Sequence, residues 1–243
     1  MQRFAARGVL VAIVLGLLVG AQPGSGAPVP PVAPLPPPTP AQLERSKNNL
    51  KHIVLAMHNY ADTYGGPLPI DSRSKDGKSL LSWRVAILPF IEEGALYNQF
   101  KRAEPWDSDH NKKLIEKMPK VFAPIRVAAK PGETFYQVFS GENALFGPKA
   151  KPQIPVSIPD GTSNTGMVFE AGEPVVWTKP ADLPFDEKKP LPKLGGLFDG
   201  VFHVGLCDGS VQRCRKDANV DELRKLIMPA DGNVINGNLL FDK

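Results

Sequence analysis

Between Ala41 and Tyr64 the apolar residues Leu50, Ile53, Val54, Met57, Ala61 and Tyr64 recur at three- and four-residue intervals, which places them on one face of an α-helix. Gly65-Gly66-Pro67 ends the pattern, since glycine supplies a left-handed cap and proline cannot extend the ladder. Leu80 to Phe100 reads as a second helical stretch interrupted at Pro89, and Ser108 is placed to cap a third that runs to Met118, ahead of Pro119. Beyond Lys120 the period shortens. Val121-Phe122, Thr134 to Phe139, Thr165 to Phe169, Val175 to Thr178 and Val201 to Cys207 are strand candidates between Pro and Gly breaks. Asp208-Gly209 is a hairpin signal joining Val201–Cys207 to Ser210–Cys214, with Cys207 facing Ser210 and Cys214 left nearer His203 in a two-residue turn. Asn219 and Glu222 have the spacing of a capping box for a last helix, Val220 to Ile227. Helices first and strands afterwards predict an α+β domain, with amphipathic helices packed on a small, mainly antiparallel sheet.

The first forty residues have a different texture. Arg3 and Arg7 precede an uncharged apolar run, Gly8 to Ala21, whose 14 residues fall short of the roughly 20 of a membrane-spanning helix. Residues 1–21 therefore read as an export signal or membrane anchor, with anchoring through residues 8–21. Nine of the 26 prolines lie between Gln22 and Pro40, so residues 22–40 read as a stiff, disordered linker, and residues 41–243 as a single domain. Without Arg3 and Arg7, 27 basic residues face 25 acidic ones and form no basic stripe, which argues against nucleic acid as a partner. Two cysteines, Cys207 and Cys214, are too few for a disulfide scaffold, and a bridge between them is not expected.

Chemistry is sparse. His52 and His58, six apart on the first helix, face different ways and do not form a chelating pair, while His58 and Asp62, four apart, are within reach of each other as a surface pair. His203, with Glu170, Asp199 and Asp208 as candidate neighbours, is the one acid/base or metal candidate. Asp160-Gly161-Thr162-Ser163-Asn164-Thr165 lacks a nucleophile elbow and has the chemistry of a structural turn. Trp83, Trp106 and Trp177 are core anchors or, alternatively, sugar-stacking platforms. No P-loop or dinucleotide fingerprint is present, and no cofactor is expected.

Ser46-Lys47-Asn48-Asn49-Leu50-Lys51-His52-Ile53, Ala56-Met57-His58-Asn59-Tyr60, Leu81 to Phe90, Glu104-Pro105-Trp106-Asp107-Ser108, Asp160 to Thr165 and Asp208-Gly209-Ser210-Val211 together resemble a bacterial family. It is domain-of-unknown-function family 1559, described as pseudopilin G-like and formerly as solute-binding family 10, and the resemblance runs from Leu43 to about Pro229. The resemblance implies an exported protein with a pilin-like body, usually led by a prepilin-type segment whose apolar helix passes directly into the Asn-Asn-Leu helix. This chain departs from that pattern. It has no prepilin cleavage site, and Pro36-Pro37-Pro38 breaks any continuous helical spine. Ser46 and Ala123 stand where the family often has cysteines, and only four residues separate His203 from Asp208-Gly209, closer than in the family's signature.

Three functions are expected in turn. The first is an exported, non-enzymatic structural or interaction module of the cell envelope, extracytoplasmic, with a protein partner. The second is a binding protein for a small solute or glycan. The third is a hydrolase using His203 with Asp208 or Glu170. Glu170, Trp177, His203 and Asp208 form the candidate functional cluster.

Overall fold

A computed structural model describes residues 36–147 and 151–242. The export segment expected over residues 1–21, and most of the linker expected over residues 22–40, lie outside the described residues. The first helix, α1, spans Pro40–Thr63 and buries Ser46, Leu50, Ile53, Val54, Ala56, Met57 and Ala61. It starts under a capping box that the apolar spacing does not signal. Thr39 Oγ1 accepts from the Gln42 amide (3.2 Å), and Gln42 Oε1 accepts from the Thr39 amide (2.9 Å). Pro40 sits at the first helical position, where its missing N–H removes no bond. The helix ends where Gly65 and Gly66 take φ of 77° and 115°.

The next helical stretch is shorter in its parts than expected. It consists of α2 (Trp83–Ala86), a 3-10 turn over Leu88–Ile91 and α3 (Gly94–Tyr97), the chain turning left-handed at Glu92 between the last two. Ser108 Oγ does accept from the Asn111 amide (3.1 Å), but the helix it caps, Asn111–Lys117, is of the 3-10 type. The strand expected at Val121-Phe122 is also a 3-10 turn, Lys120–Phe122. Pro119 and Pro124 flank it and deny it the donors a ladder requires.

Four strands form the main sheet: β1 (Glu133–Gln137), β3 (Gly166–Val176), β5 (Phe202–Leu206) and β6 (Val211–Cys214), antiparallel in the order β1-β3-β5-β6. A small parallel pair joins β2 (Phe139–Ser140) to β4 (Leu183–Pro184). The two strands expected at Thr165–Phe169 and Val175–Thr178 are one, β3. Residues 166–169 of β3 pair with β5, and residues 169–176 with β1. Pro174 is tolerated because β5 does not reach that end of the strand.

The hairpin also differs from expectation. The Leu206 amide bonds to the Ser210 carbonyl (2.8 Å), so the loop has three residues, Cys207-Asp208-Gly209, with Gly209 at φ 87°. That one-residue change places Cys214 opposite Phe202, while His203 faces Arg213. Both cysteines are free and buried.

The two faces of the sheet are covered differently. Phe202, Val204 and Leu206 of β5 pack with Phe169, Leu223, Leu226, Ile227 and Leu240, and so lie under α4 (Val220–Ile227) and α5 (Gly237–Leu240). Asn219 Oδ1 caps α4, accepting from the Asp221 and Glu222 amides. The Glu222 carboxylate turns away to Lys225 and the Asn236 amide, so the expected capping box is only half formed. The alternate β5 positions, His203 and Gly205, face α1. A β-bulge between Gly166 and Val168 lets both Met167 and Val168 join the core on the α1 side. Fully burying each Leu, Ile or Val of that core contributes roughly 1.5–3 kcal/mol, so α1 is held mainly by the sheet and not by its own propensity.

Candidate functional site

The α1 side of the sheet carries a polar cluster with one residue from each of four neighbouring elements: Ser46 of α1, Tyr136 of β1, Glu170 of β3 and His203 of β5. All four are buried. Period-2 alternation turns Tyr136, Glu170 and His203 to the same face, and Ser46 is one helical turn ahead of Leu50 on the buried stripe of α1. Glu170 is the hub. Its Oε2 accepts from the His203 amide (2.7 Å), both of its oxygens lie 3.2 Å from His203 Nδ1, and Oε1 accepts a short hydrogen bond from Ser46 Oγ. Ser46 has a single proton and gives it to Glu170, so the 3.0 Å contact between Ser46 Oγ and the Tyr136 hydroxyl has the tyrosine as donor. The chain of donors thus runs Tyr136, Ser46, Glu170. Burial, and next the Glu170 carboxylate, push the Tyr136 phenol well above its ordinary range.

This order of groups is not that of an imidazole-centred triad. In an acyl-transfer triad the imidazole lies between hydroxyl and carboxylate; here the carboxylate lies between hydroxyl and imidazole. What the arrangement does is fasten α1 to β3 through the Ser46–Glu170 bond, a hydrogen bond to a charged group contributing about 1.5–3 kcal/mol, and to β1 through the weaker Tyr136–Ser46 bond, while Glu170 ties β3 to β5.

Of the sequence candidates, the fold brings Glu170 and His203 together and places Trp177 and Asp208 elsewhere. Trp177 is enclosed in the core, stacked on Phe122 and edge-on to Phe100, and its indole N–H donates to the Ile115 carbonyl (2.9 Å). Asp208 is exposed in the hairpin loop, where it accepts from the Ser210 amide (2.8 Å). Asp199 pairs with Arg126 (2.9 Å). Trp83 is buried like Trp177, and Trp106 packs half-buried against the same core with Lys179 over its ring. His58 Nε2 is buried without a partner. Asp160 clamps the C-terminal loop by accepting from the Asp231 and Gly232 amides (2.7 and 3.0 Å), and Asn164 Nδ2 donates to its carbonyl, so this loop is a structural turn. Among the described residues no group of three or more His, Cys, Asp or Glu side chains is placed to hold a metal ion.

A second polar centre was not anticipated. Arg84, in the first turn of α2, is fully buried and bonds through Nε to the Tyr136 carbonyl (2.9 Å), through Nη1 to Ser82 Oγ (2.7 Å) and through Nη2 to Asp182 Oδ1 (2.7 Å). Asp182 Oδ1 also accepts from the Val138 amide (3.0 Å) and the Trp83 indole (3.3 Å). Burial raises the Asp182 carboxyl against the opposing pull of Arg84. Asp71 Oδ1 accepts from the Trp83 amide (2.9 Å), and the Asp71 carboxyl is pushed up to about 6, first by burial and then by the Asp182 carboxylate. Asp71 and Asp182 line one cavity of about 350 Å³. The signal present in the sequence was Arg84 itself, a lone charge within the apolar run Leu80 to Phe90, which has to be either exposed or paired.

No curated protein and no solved structure matches the chain. A family model does match, that of a protein of unknown function (DUF1559, SBP_bac_10), over residues 45–143, a stretch that holds Ser46, Asp71, Arg84 and Tyr136 and ends ahead of Glu170, Asp182 and His203.

Proposed function

We propose that this chain is an exported, non-enzymatic module of the cell envelope, pseudopilin-like in its body, that works by interaction and not by chemistry. The observation that carries the reading is the closed state of the Ser46–Glu170–His203 cluster. The residues a hydrolase would use are engaged with one another and enclosed between α1 and the sheet, where the Ser46 hydroxyl has no exposed surface for a substrate to reach. Export is supported by the basic and apolar pattern of residues 1–21 and by the solute-binding name of the matching family. A filament spine is disfavoured, because α1 starts at Pro40 behind four non-helical residues, three of them prolines. An open groove along α1, lined by His52, Leu55, Asn59, Phe90, Met118 and Val121, offers a surface for a protein partner, with Leu55 53% exposed. The test places a photo-crosslinking residue at Leu55 of the full chain in its bacterial envelope, with Val156, 79% exposed, as the control position. A discrete adduct from position 55 and none from 156 is expected. Adducts at neither site, or equally at both, refute the groove as an interaction surface.

A second reading, solute binding, is favoured by the cavity between Asp71 and Asp182. That cavity is ringed by Trp83, not by Trp106, Trp177 or Tyr136.

A further inference from the structure

We propose that the cavity beside α2 binds a small organic ammonium ion carrying a short apolar stem, an inference that rests on the solute-binding reading and names its ligand class. Two carboxylates meet there, and each has only one oxygen engaged. Asp182 Oδ1 takes three donors and Asp71 Oδ1 takes one, whereas Oδ2 of each has no hydrogen-bond partner among the described residues. The Asp182 side chain is only 4% exposed. Neither Oδ2 is sealed from water; both open to the cavity, so a ligand that brings its own donors can take the place of solvent there.

Charge decides which donors fit. Arg84 faces the site from α2 with all three of its nitrogens committed, and it balances one of the two carboxylates. Arg73 lies at the rim, exposed, with its guanidinium on the Gly77 carbonyl. Of the two cations acting on these aspartates only Arg84 is buried, and Arg73 is exposed and screened by solvent, so the buried part of the site carries one excess negative charge when both aspartates are ionised, which favours a monocation over an anion. A primary ammonium brings three N–H donors for the two free carboxylate oxygens and a serine hydroxyl, Ser79 or Ser140, on the same wall. A divalent metal ion would need six or more oxygen ligands and would sit near the Arg84 guanidinium, a poor match to this set. Among these polar groups Ile70, Trp83, Val138 and Phe146 supply apolar patches, enough for a short hydrocarbon or aromatic stem. A volume of about 350 Å³ is that of roughly a dozen waters, so the ligand has on the order of ten heavy atoms.

The experiment titrates the full chain with phenethylammonium and n-butylammonium, using n-butanol, butyrate and Ca²⁺ as comparison probes. Binding is followed by calorimetry and by the fluorescence of Trp83, which is in the cavity wall. Saturable binding of the ammonium probes is expected, without saturation by the alcohol or the carboxylate. Asp71→Asn retains an acceptor for the Trp83 amide and should weaken ammonium binding about tenfold or more, the loss of one charged hydrogen-bond partner. Ammonium affinity in the wild type should also fall as pH drops through about 6, where Asp71, facing Asp182, Arg84 and Arg73, takes up its proton. A melt of the variant matching the wild type at pH 4 shows that the fold is intact. Saturation by butanol or butyrate in place of the amines overturns the ligand class and leaves solute binding standing. Saturation by Ca²⁺ alone overturns it in favour of a metal site. No saturation by any probe overturns both.

Discussion

The seam between α1 and β5 makes a prediction whose sign depends on background. Gly205 lies under α1, and a Cβ placed on it would be 2.3 Å from Val54 Cγ2, while Leu50 Cγ at 3.5 Å and Val54 Cβ at 3.6 Å would be ordinary neighbours. Both Val54 and Leu50 are fully buried. Gly205→Ala therefore has to push the helix or force Val54 off its rotamer, an overpacking cost of about 1–3 kcal/mol. Alanine recovers about 0.5–1 kcal/mol over glycine within a strand by losing less backbone entropy. The net expectation is a destabilisation of about 0.5–2 kcal/mol. Val54→Ala alone removes two buried carbons and costs about 1.6 kcal/mol at 0.8 per group, with a cavity contribution added. In that background the new Cβ meets nothing closer than ordinary contact and fills space that Val54 vacated. Gly205→Ala should then be neutral or stabilising by about 0.5 kcal/mol. Urea unfolding of the four proteins, followed by circular dichroism at a common m-value, measures the coupling. If Gly205→Ala costs the same in both backgrounds within about 0.5 kcal/mol, α1 does not meet β5 in the described register, and the polar cluster that depends on this register falls with it.

Two further outcomes are expected. Arg84→Met leaves Asp182 buried without its cation and should cost about 3–5 kcal/mol in a urea melt at neutral pH. Adding Asp182→Asn should return a large part of that loss, and full additivity would show that the pair is not coupled as described. Asp71 makes stability depend on pH with a sign opposite to that of a salt-bridged carboxylate. Its folded-state value, about 6, lies above the ordinary 3.8, so the folded state holds the proton more tightly, and the stability this gives is complete below about pH 4 and lost as pH rises through about 6. At about 1.4 kcal/mol per pH unit the loss is up to about 3 kcal/mol. Asp71→Asn should therefore gain on the wild type between pH 4 and 7 in thermal melts, and parallel pH profiles for the two proteins would contradict the assignment.

The sequence was most readable where local chemistry and tertiary contact agree. The spacing from Leu50 to Ala61 required one helical face, and the fold buries that face; Gly65-Gly66 then stops it, as the steric freedom of glycine requires. It was least readable where a neighbour in space decides. Pro119 and Pro124 did mark Val121-Phe122 as a poor strand, but nothing local says that β3 continues through Gly172 and Pro174, since that depends on which flank of the strand is paired. The loop length at Asp208-Gly209 changed by one residue, and with it the partner of every residue in the hairpin. At the candidate site Glu170 and His203 were readable as a pair because both are polar within β-rich runs. Ser46 and Tyr136 were not, because a serine on an amphipathic helix and a tyrosine in a strand look ordinary until the four elements converge. Asp71 and Asp182, 111 positions apart and in loops, carried no pattern at all.

The direction of α1 gives the domain a mechanical character. Leu43 and Lys47 share a surface hollow with His203, Leu50 and Val54 cover Gly205, and His58 lies beside Gly209, so the helix follows β5 in the same direction from end to end. A force that enters through the chain ahead of Thr39 and runs along the helix axis loads this whole seam in shear. Its apolar contacts and the Ser46–Glu170 bond have to yield together, where a strand pulled crosswise would unzip one bond at a time. A domain tugged from its N-terminus in this way should hold until a single high barrier is crossed, with its lifetime under tension set by the unfolding rate.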